Sequence, residues 1–344
     1  MTPGTLSSEA VRAAARACRF PLVGLARAAA RDPAPLDAWL AAGYDADMVW
    51  MRRRLDERLD PRRVLRDART VVALGIPYRR PGKERSRIAS YARGRDYHYA
   101  HRERMKKLRQ RLLMLDADLE TYACVDTGVA MEKTWAERAG LGFIGKNGLL
   151  INPEYGSWVT LSVMFMDRAV DRYDAAGENR CGPCTRCLDA CPTAAFPRPG
   201  VVDSRRCIAF QSIENRGRVP EPLRKGFVGR VFGCDVCQDV CPFNRDEIPE
   251  GDARFAPRSL SALSPARLAA LTAAEHAQQT AGTAVARVGY DGLRRNALYA
   301  IGASRSPAAR AVVERLRDDP SPEVSEAAGW ALGRLRSSKS SKLR

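Results

Sequence analysis

CGPCTRCLDACPTAAF, residues 181–196, carries four cysteines in the spacing C-x2-C-x2-C-x3-C-P. Cys207 follows alone, and CDVCQDVCP at 234–242 repeats part of the pattern as C-x2-C-x3-C-P. This spacing is typical of proteins that bind two [4Fe–4S] clusters. The short gaps wrap three thiolates around one cubane, while the cysteine before proline reaches the other cluster. The stretch therefore predicts a ferredoxin-like module folded around metal rather than around an apolar core.

The fourth ligands are expected to cross between the two clusters. Cluster one then takes Cys181, Cys184, Cys187 and Cys241. Cluster two takes Cys191, Cys207, Cys234 and Cys237. Two structural zinc sites are the alternative, but zinc sites rarely use three closely spaced cysteines followed by Cys-Pro. Cys18 and Cys124 lie outside the set and are expected to be small core residues rather than ligands.

The chain is strongly basic, with a formal net charge of +17 over 344 residues. Residues 52–111 hold 21 Lys and Arg against 7 Asp and Glu, and residues 289–344 hold 11 against 6. An excess of this size favours an anionic partner, with nucleic acid first. Solvated helix faces of an arginine-rich protein are the alternative, and composition leaves both open.

No apolar run reaches the roughly 18 residues that a membrane-spanning helix needs. The first 20 residues form an amphipathic Ala/Arg pattern without the apolar core and cleavage site of a secretory signal. A transit peptide is a weaker alternative, because Glu9 and the strand-like segment that follows are typical of folded protein. We therefore expect a cytoplasmic protein with no membrane partner.

The sequence predicts a multi-domain protein that combines α/β and α+β parts. Residues 1–170 alternate strand-like segments (70–78, 122–128, 148–153 and 157–166) with helices at 100–119 and 131–142, which predicts an α/β domain. Residues 171–250 form the two-cluster module. Residues 251–344 are helical, and RRNALYAIG (294–302) aligns with SEAAGWALG (325–333) at a spacing typical of short HEAT-like repeats. The tail RSSKSSKLR is expected to be disordered.

Residues 125–161, VDTGVAMEKTWAERAGLGFIGKNGLLINPEYGSWVTL, together with DYH at 96–98 and the cysteine module, resemble the epoxyqueuosine reductases. The resemblance covers nearly the whole chain, including RRNALYAIG near its end. It implies a cobalamin-dependent oxidoreductase with two [4Fe–4S] clusters. Such an enzyme reduces the epoxide of epoxyqueuosine at the wobble position of tRNA to the alkene of queuosine. The basic N-terminal region and the C-terminal helices, with Arg294 and Arg295, are expected to contact the tRNA.

The resemblance implies that Asp126, in VDTG, is the catalytic acid. Desolvation beside the cofactor would keep its carboxyl protonated, so that it could deliver a proton to the departing epoxide oxygen. A purely turn-forming aspartate is the alternative. Val129 stands where the family often has proline, which leaves the rigidity of this loop in question.

The resemblance also implies corrin contacts from Arg58, Leu150, Leu161, Ala209, Asp235 and Val236. Arg58 would pair with an amide or the phosphate of cobalamin, and the leucines would form the floor under the ring. Backbone of the cluster loops would approach at the other three, and ordinary packing is the alternative for each.

DYH at 96–98 is similar to the Asp-x-His-x-x-Gly loop that ligates cobalt in other cobalamin enzymes, but His101 replaces its glycine. We therefore expect no histidine ligand and a base-off cofactor. A turn or surface role for His98 and His101 is favoured over binding of a metal ion by the pair.

Two other functions remain as alternatives. One is a corrinoid and iron–sulfur reductase of a small molecule, similar to reductive dehalogenases, and the other is a non-enzymatic electron carrier. A carrier would not need the α/β domain, and a dehalogenase has no use for the basic regions. We expect a monomer that receives electrons from an unidentified donor.

Overall fold

The structure is a computed structural model that describes residues 4–79, 87–244 and 249–336. Its strands are β1 Leu22–Arg27, β2 Thr70–Pro77, β3 Thr121–Cys124, β4 Phe143–Ile144, β5 Leu150–Ile151 and β6 Val159–Met166. Its α-helices are α1 Ser8–Ala17, α2 Ala34–Ala41, α3 Leu55–Leu59, α4 Tyr97–Leu113, α5 Glu132–Arg138, α6 Arg186–Asp189, α7 Ile208–Ile213, α8 Glu221–Arg224, α9 Val236–Asp239, α10 Pro265–Ala269, α11 Ala273–Thr280, α12 Tyr290–Ser304, α13 Arg310–Arg315 and α14 Pro322–Arg336.

The N-terminal region is built on a four-stranded sheet in the order β1-β2-β6-β3. All three strand pairings are antiparallel, with Val72 of β2 opposite Met164 of β6, for example. The region therefore mixes helices with an antiparallel sheet, and the α/β alternation predicted from the sequence needs this correction. Long connections between strands allow either orientation, so an alternating pattern does not fix the direction of pairing.

The central strand β2 is buried at every residue, as its run of β-branched and apolar residues predicts. Val72, Leu74 and Ile76 face one hydrophobic cluster, which α1 and α4 complete. Val71 and Ala73 face a second cluster, which contains Trp135 of α5. The alternation follows the two-residue period of a strand, so helices cover the sheet on both faces.

Helix α4 begins three residues earlier than the sequence pattern predicts. The Asp96 side chain accepts a hydrogen bond from the backbone N–H of His98 at 3.0 Å and so caps the helix. The helix ends at Leu113, six residues before the predicted end. This early start brings the DYH segment into the first turn of α4, beside the end of β3.

The cluster module and the helical region share one hydrophobic core. Ile208, Phe227 and Phe232 of the module lie in the same cluster of buried residues as Leu293 and Leu298 of α12. Helix α12 contacts both α7 and α8. The boundary predicted near residue 250 therefore separates two sequence patterns but not two separate cores.

The two repeated stretches of the C-terminal region lie in α12 and α14, which pack against each other. A side-chain carbon added at Gly302 would lie 2.5 Å from the ring of Trp330, so the close approach requires glycine. Their relation to HEAT repeats stays a prediction. Most of the predicted disordered tail, residues 337–344, lies outside the described residues. In the ranges that are described, no helix combines the length and apolarity needed to cross a membrane.

Candidate active site and cluster ligands

Asp126 lies in the loop between β3 and α5, two residues after β3 ends. Its backbone has a φ of +54°, a left-handed conformation that aspartate tolerates better than most residues. A side-chain carbon at Gly128 would lie 2.2 Å from Cys124 Sγ, so the loop packs directly onto the end of the strand. More than half of the Asp126 side chain remains exposed, at 58%. The loop therefore presents the carboxylate outward from the sheet.

His98 is the partner of Asp126, and it also contacts Asp96. The Nε2 atom of His98 lies 3.5 Å from Asp126 Oδ2, and its Nδ1 lies 2.7 Å from Asp96 Oδ1. The ring of Tyr97 stacks on the imidazole with 4.2 Å between centroids. Burial alone would lower the pKa of His98, but the ion-pair contact with Asp126 and the hydrogen bond to Asp96 raise it to about 9.

The same interaction changes the prediction for Asp126. Its contact with the charged His98 lowers the pKa of the Asp126 carboxyl and outweighs the opposing effect of burial. The sequence predicts a carboxyl kept protonated by desolvation beside the cofactor, whereas the His98 contact favours its ionised form. Near neutral pH the proton resides on His98, beside an ionised Asp126. Sequence reasoning assigned His98 to a turn and missed the pair, because nothing in the sequence links positions 98 and 126.

The second histidine of α4, His101, has partners at both ring nitrogens. His101 is buried, with Nδ1 2.7 Å from Ser162 Oγ and Nε2 2.9 Å from Thr160 Oγ1 on β6. Burial lowers the pKa of His101 to about 3, so the ring is neutral. His98 and His101 point to different partners and do not form a metal site.

Contacts connect the second cysteine loop to the segment that carries His98. Asp235, between Cys234 and Cys237, accepts a hydrogen bond from the backbone N–H of Ser90 at 2.7 Å. The ring of the next residue, Tyr91, lies 5.9 Å from that of Tyr97, which stacks on His98. Burial raises the pKa of Tyr91, and the carboxylates of Asp126 and Asp235 raise it further.

The residues predicted to contact a corrin differ in how exposed their side chains are. Ala209 in α7, and Asp235 and Val236 at the start of α9, are partly exposed. Leu161 on β6 is also partly exposed, whereas Leu150 is only 5% exposed and packs in the second cluster of the sheet. The structure therefore favours packing for Leu150 and leaves the others available.

Arg58 has a different role from the one predicted. Its guanidinium is buried and donates hydrogen bonds to the backbone carbonyls of Trp50 at 2.8 Å, Arg53 at 3.2 Å and Val129 at 3.4 Å. Three carbonyl acceptors occupy this group, so it is a structural anchor between the Trp50 turn and the Asp126 loop. The contact also fixes Val129, where the family often has proline.

The ten cysteines are all free of disulfides, and Cys18 and Cys124 are buried as expected. The thiol of Cys241 interacts electrostatically with those of Cys181 and Cys184, and that of Cys187 with Cys241 and Cys181. In the second group, Cys207 interacts with Cys191, Cys234 with Cys207, and Cys237 with Cys234 and Cys207, while Cys237 also interacts with Cys187 of the first group. The crossed assignment of the ligands stays a prediction.

The second group of thiols is the more deeply buried. Burial raises the pKa of Cys234 to about 11 and also raises the pKa of Cys207 and Cys237. Thiols held this way ionise when a metal binds them. Among the described residues, no three His, Cys, Asp or Glu side chains are arranged to hold a single metal ion. Four thiols around a cubane of four irons fit these groups better than a mononuclear zinc site does.

Arg294 and Arg295, predicted to contact RNA, are buried within the helical region. Arg295 is 0% exposed and donates hydrogen bonds to the backbone carbonyls of Asn215 at 2.9 Å and Gln211 at 3.1 Å. Arg294 forms an ion pair with Asp319. Arg295 holds α12 against the cluster module, Arg294 ties α12 to Asp319 within the helical region, and neither guanidinium is free for a phosphate. The prediction failed because a pair of arginines in a helix was taken to face solvent.

Comparisons with known proteins agree with this arrangement. A family model described as "Epoxyqueuosine reductase QueG, DUF1730" matches residues 58–127, and one described as "4Fe-4S double cluster binding domain" matches residues 180–244. The epoxyqueuosine reductase of Gloeobacter violaceus is 43% identical over 88% of this chain and 98% of its own length.

The chain belongs to the epoxyqueuosine reductase family. The Pseudomonas aeruginosa epoxyqueuosine reductase is 38% identical over 88% of this chain and 86% of its own length. A crystal structure of epoxyqueuosine reductase with a tRNA-Tyr epoxyqueuosine-modified tRNA stem loop matches with a TM-score of 0.88 at 29% identity, over 95% of this chain and 89% of that one.

The epoxyqueuosine reductase from Bacillus subtilis, solved with its catalytic aspartate loop swung out of the active site, matches with a TM-score of 0.85. The two chains are 28% identical, and the match covers 95% of this chain and 90% of that one. Family membership confirms the resemblance seen in the sequence and the prediction of an oxidoreductase. It also excludes a non-enzymatic electron carrier.

Proposed function

We propose that the protein reduces epoxyqueuosine to queuosine at the wobble position of tRNA, with the Asp126–His98 pair as its proton source. The observation that carries the proposal is a chain of contacts between the ligand loop of cluster two and His98. Asp235 accepts the N–H of Ser90, and the ring of the adjoining Tyr91 lies 5.9 Å from that of Tyr97, which stacks on His98. Electrons and a proton can reach one small substrate only where their two sources meet. The family name and the stem loop bound by a relative support the choice of substrate.

The reaction needs a proton source at this position. Conversion of an epoxide to an alkene takes up two electrons and two protons, and the epoxide oxygen leaves as water. His98 carries a proton at neutral pH, and Asp126 holds the imidazolium through its ionised carboxylate. Asp126 is the more exposed of the two, so we infer that it relays the proton from His98 to the departing oxygen. A positioned acid of this kind contributes about 10²- to 10⁴-fold in rate.

We infer that cobalamin binds in its base-off form between the Asp126 loop and the second cysteine loop. Leu161, Ala209, Asp235 and Val236 would hold it, since all four are partly exposed. The residues fit a cofactor without a protein ligand, because both ring nitrogens of His101 have hydrogen-bond partners and His98, flanked by Asp96 and Asp126, is protonated near neutral pH. The third histidine of the chain, His276, lies in α11 beside Tyr290. Cobalamin, when bound, would supply the reducing electrons to the epoxide.

Two [4Fe–4S] clusters would carry electrons to this site from the unidentified donor. The crossed groups of thiols support two clusters, and cluster two is the inner one, because its ligand loop contacts Ser90 beside Asp126. Lys146 N–H lies 3.5 Å from Cys181 Sγ, and Ala195 N–H lies 3.3 Å from Cys191 Sγ. Backbone donors aimed at sulfur stabilise ligated thiolates and tune the cluster potential.

The tRNA would approach over the basic segment that follows the Trp50 turn. A groove of about 530 Å³ is lined there by Arg52, Arg54, Leu55, Asp56, Glu57 and Arg63. Trp50 is 38% exposed, and the guanidinium of Arg287 lies 5.7 Å from its ring centre. Arginines beside an exposed aromatic ring suit a single-stranded RNA loop, which offers phosphates and unstacked bases. Arg58 ties this turn to the Asp126 loop, so the groove leads to the proposed active site.

The reaction is tested with anaerobically reconstituted protein, cobalamin, dithionite and a stem-loop RNA that carries epoxyqueuosine. Nucleoside mass spectrometry should detect loss of one oxygen, and omission of cobalamin should abolish the conversion. A protein that is fully loaded with iron and cobalamin and still leaves the epoxide intact would contradict the proposal.

The binding face is tested separately by salt dependence. Arg52→Glu combined with Arg63→Glu should weaken stem-loop binding and lower the slope of log K against log salt by roughly 1 to 2. The control is Arg172→Glu, which reverses an exposed arginine outside the groove. Equal effects of the groove and control variants would indicate a general charge effect rather than a binding face.

A further inference from the structure

The loop that carries Asp126 is fastened at both ends by side chains that lie behind it. At its start, Glu132 Oε1 accepts a hydrogen bond from the backbone N–H of Asp126 at 2.7 Å. At its end, Arg58 Nη1 donates to the carbonyl of Val129 at 3.4 Å. Neither contact involves the Asp126 carboxylate, so both leave the reactive group free.

Glu132 is built into a polar cluster under the loop. The thiol of Cys124 donates to the same Oε1 atom at 3.4 Å, and the guanidinium of Arg58 interacts electrostatically with the carboxylate. Glu132 is the first residue of α5, which Trp135 anchors in the core at 1% exposure. The acceptor therefore belongs to a rigid element, while the donor belongs to the loop.

The backbone of the loop needs such support. Asp126 has a left-handed φ of +54°, and a residue other than glycine persists there only when its surroundings fix it. The N–H group that Glu132 holds is the one that this φ angle orients. Loss of the acceptor would leave a solvent-accessible N–H and remove one of the few contacts that select this conformation.

We propose that Glu132 is a positioning residue that holds Asp126 against His98, with Arg58 as the second anchor of the loop. Glu132 touches neither substrate nor the reacting atoms. It acts by keeping the loop in the conformation in which the Asp126 carboxylate lies 3.5 Å from His98. The catalytic consequence rests on the proposed function, whereas the conformational consequence does not.

The test compares three variants of the fully loaded enzyme. Glu132→Ala removes the acceptor, and Glu132→Gln retains an amide oxygen that can still accept from the Asp126 N–H. Glu137→Ala is the matched control, because Glu137 lies in the same helix and its Oε1 accepts the N–H of Ile144, also at 2.7 Å. The control therefore loses an equivalent hydrogen bond away from the Asp126 loop.

Hydrogen exchange followed by mass spectrometry reports on the loop directly. Exchange of the segment 125–129 should accelerate by roughly tenfold in Glu132→Ala, the amount expected for loss of a charge-assisted hydrogen bond. Glu137→Ala should leave that segment unchanged. Unchanged exchange in Glu132→Ala would overturn the proposal whatever the enzyme does, and this outcome says nothing against the proposed function.

Turnover reports on the catalytic consequence. Glu132→Ala should lower kcat by about 10- to 100-fold, the effect of a small displacement of a catalytic group. The KM for the stem loop and the iron content should stay unchanged. Glu132→Gln should recover most of the activity. A faster-exchanging loop with normal kcat would show that Glu132 fixes the loop without serving catalysis. Inactive wild-type enzyme would count against the proposed function alone.

Discussion

Replacing Asp96 by asparagine is expected to lower the pH at which the enzyme loses its proton source. Asp96 caps α4 and accepts hydrogen bonds from the N–H of His98 at 3.0 Å and from its Nδ1 at 2.7 Å. Asparagine caps helices about as well as aspartate, so the helix start and the orientation of His98 should survive. The variant thus removes one negative charge from beside the imidazole and little else.

The magnitude follows from the two carboxylates that flank His98. Against the effect of burial, the ion-pair contact with Asp126 and the hydrogen bond to Asp96 raise the pKa of His98 to about 9, from an ordinary value of about 6.5. Loss of one carboxylate should remove about half of this rise, on the order of 1 pH unit or about 1.5 kcal/mol. The side chains of His98 and Asp96 are only 18% and 20% exposed, so water screens their interaction weakly.

The direction in which the pH dependence of the rate shifts depends on which protonation state of His98 is active. The imidazolium is present below its pKa and is lost as the pH rises through it. The wild-type enzyme should therefore keep its rate up to about pH 9, whereas Asp96→Asn should lose it near about pH 8.

The assay is single-turnover reduction of the stem loop by pre-reduced enzyme in excess, measured from about pH 6 to about pH 10. Rates below about pH 7 should match those of the wild type and serve as the internal control. A basic limb that stays in place would refute the assignment of His98 as the store of the proton. A uniform loss of rate with no shift would make Asp96 a residue that only orients the imidazole.

Four other substitutions separate the remaining roles. Asp126→Asn should keep both clusters and RNA binding but lower turnover by about 10²-fold or more, and near-normal turnover would return Asp126 to a turn-forming role. Protein with both clusters should bind about eight irons. Cys191→Ser should damage cluster two and Cys241→Ser cluster one, as electron paramagnetic resonance can test, and damage confined to the variant's own CxxC run would contradict the crossed ligands. Arg295→Glu should destabilise the fold by about 3 kcal/mol or more, measured by denaturation, because it leaves buried carbonyls facing a buried charge; a soluble, stable variant with weakened RNA binding would favour the original prediction.

The features that the sequence predicted best are those encoded by residues close together in the chain. The cysteine spacings predicted the cluster-binding domain that the family model matches over residues 180–244, because a loop of a few residues determines which thiolates can share a cubane. The buried strand β2 is likewise visible as a local run of apolar residues. Asp126 was identified through a family motif, which supplies its position but not its protonation.

The features that the sequence did not predict depend on contacts between distant segments. His98 lies 3.5 Å from Asp126 because α4 starts beside the end of β3, and no local pattern encodes that approach. The sequence around Arg295 is typical of an exposed helix face. Its guanidinium is buried because α12 packs against the segment that supplies the carbonyls of Gln211 and Asn215. The antiparallel sheet was missed for the same reason, since strand direction is decided by tertiary pairing.

The core shared by the cluster module and α12 has a consequence for folding during synthesis of the chain. The second cysteine set leaves the ribosome about fifty residues ahead of α12, whose Leu293 and Leu298 complete the apolar surroundings of Phe227 and Phe232. Until that helix has been synthesised, the segment between Cys207 and Cys234 can pack only against earlier residues such as Ile88 and Ala92. The apolar surroundings of the second cysteine set are therefore completed late in synthesis, after most of the chain has been made.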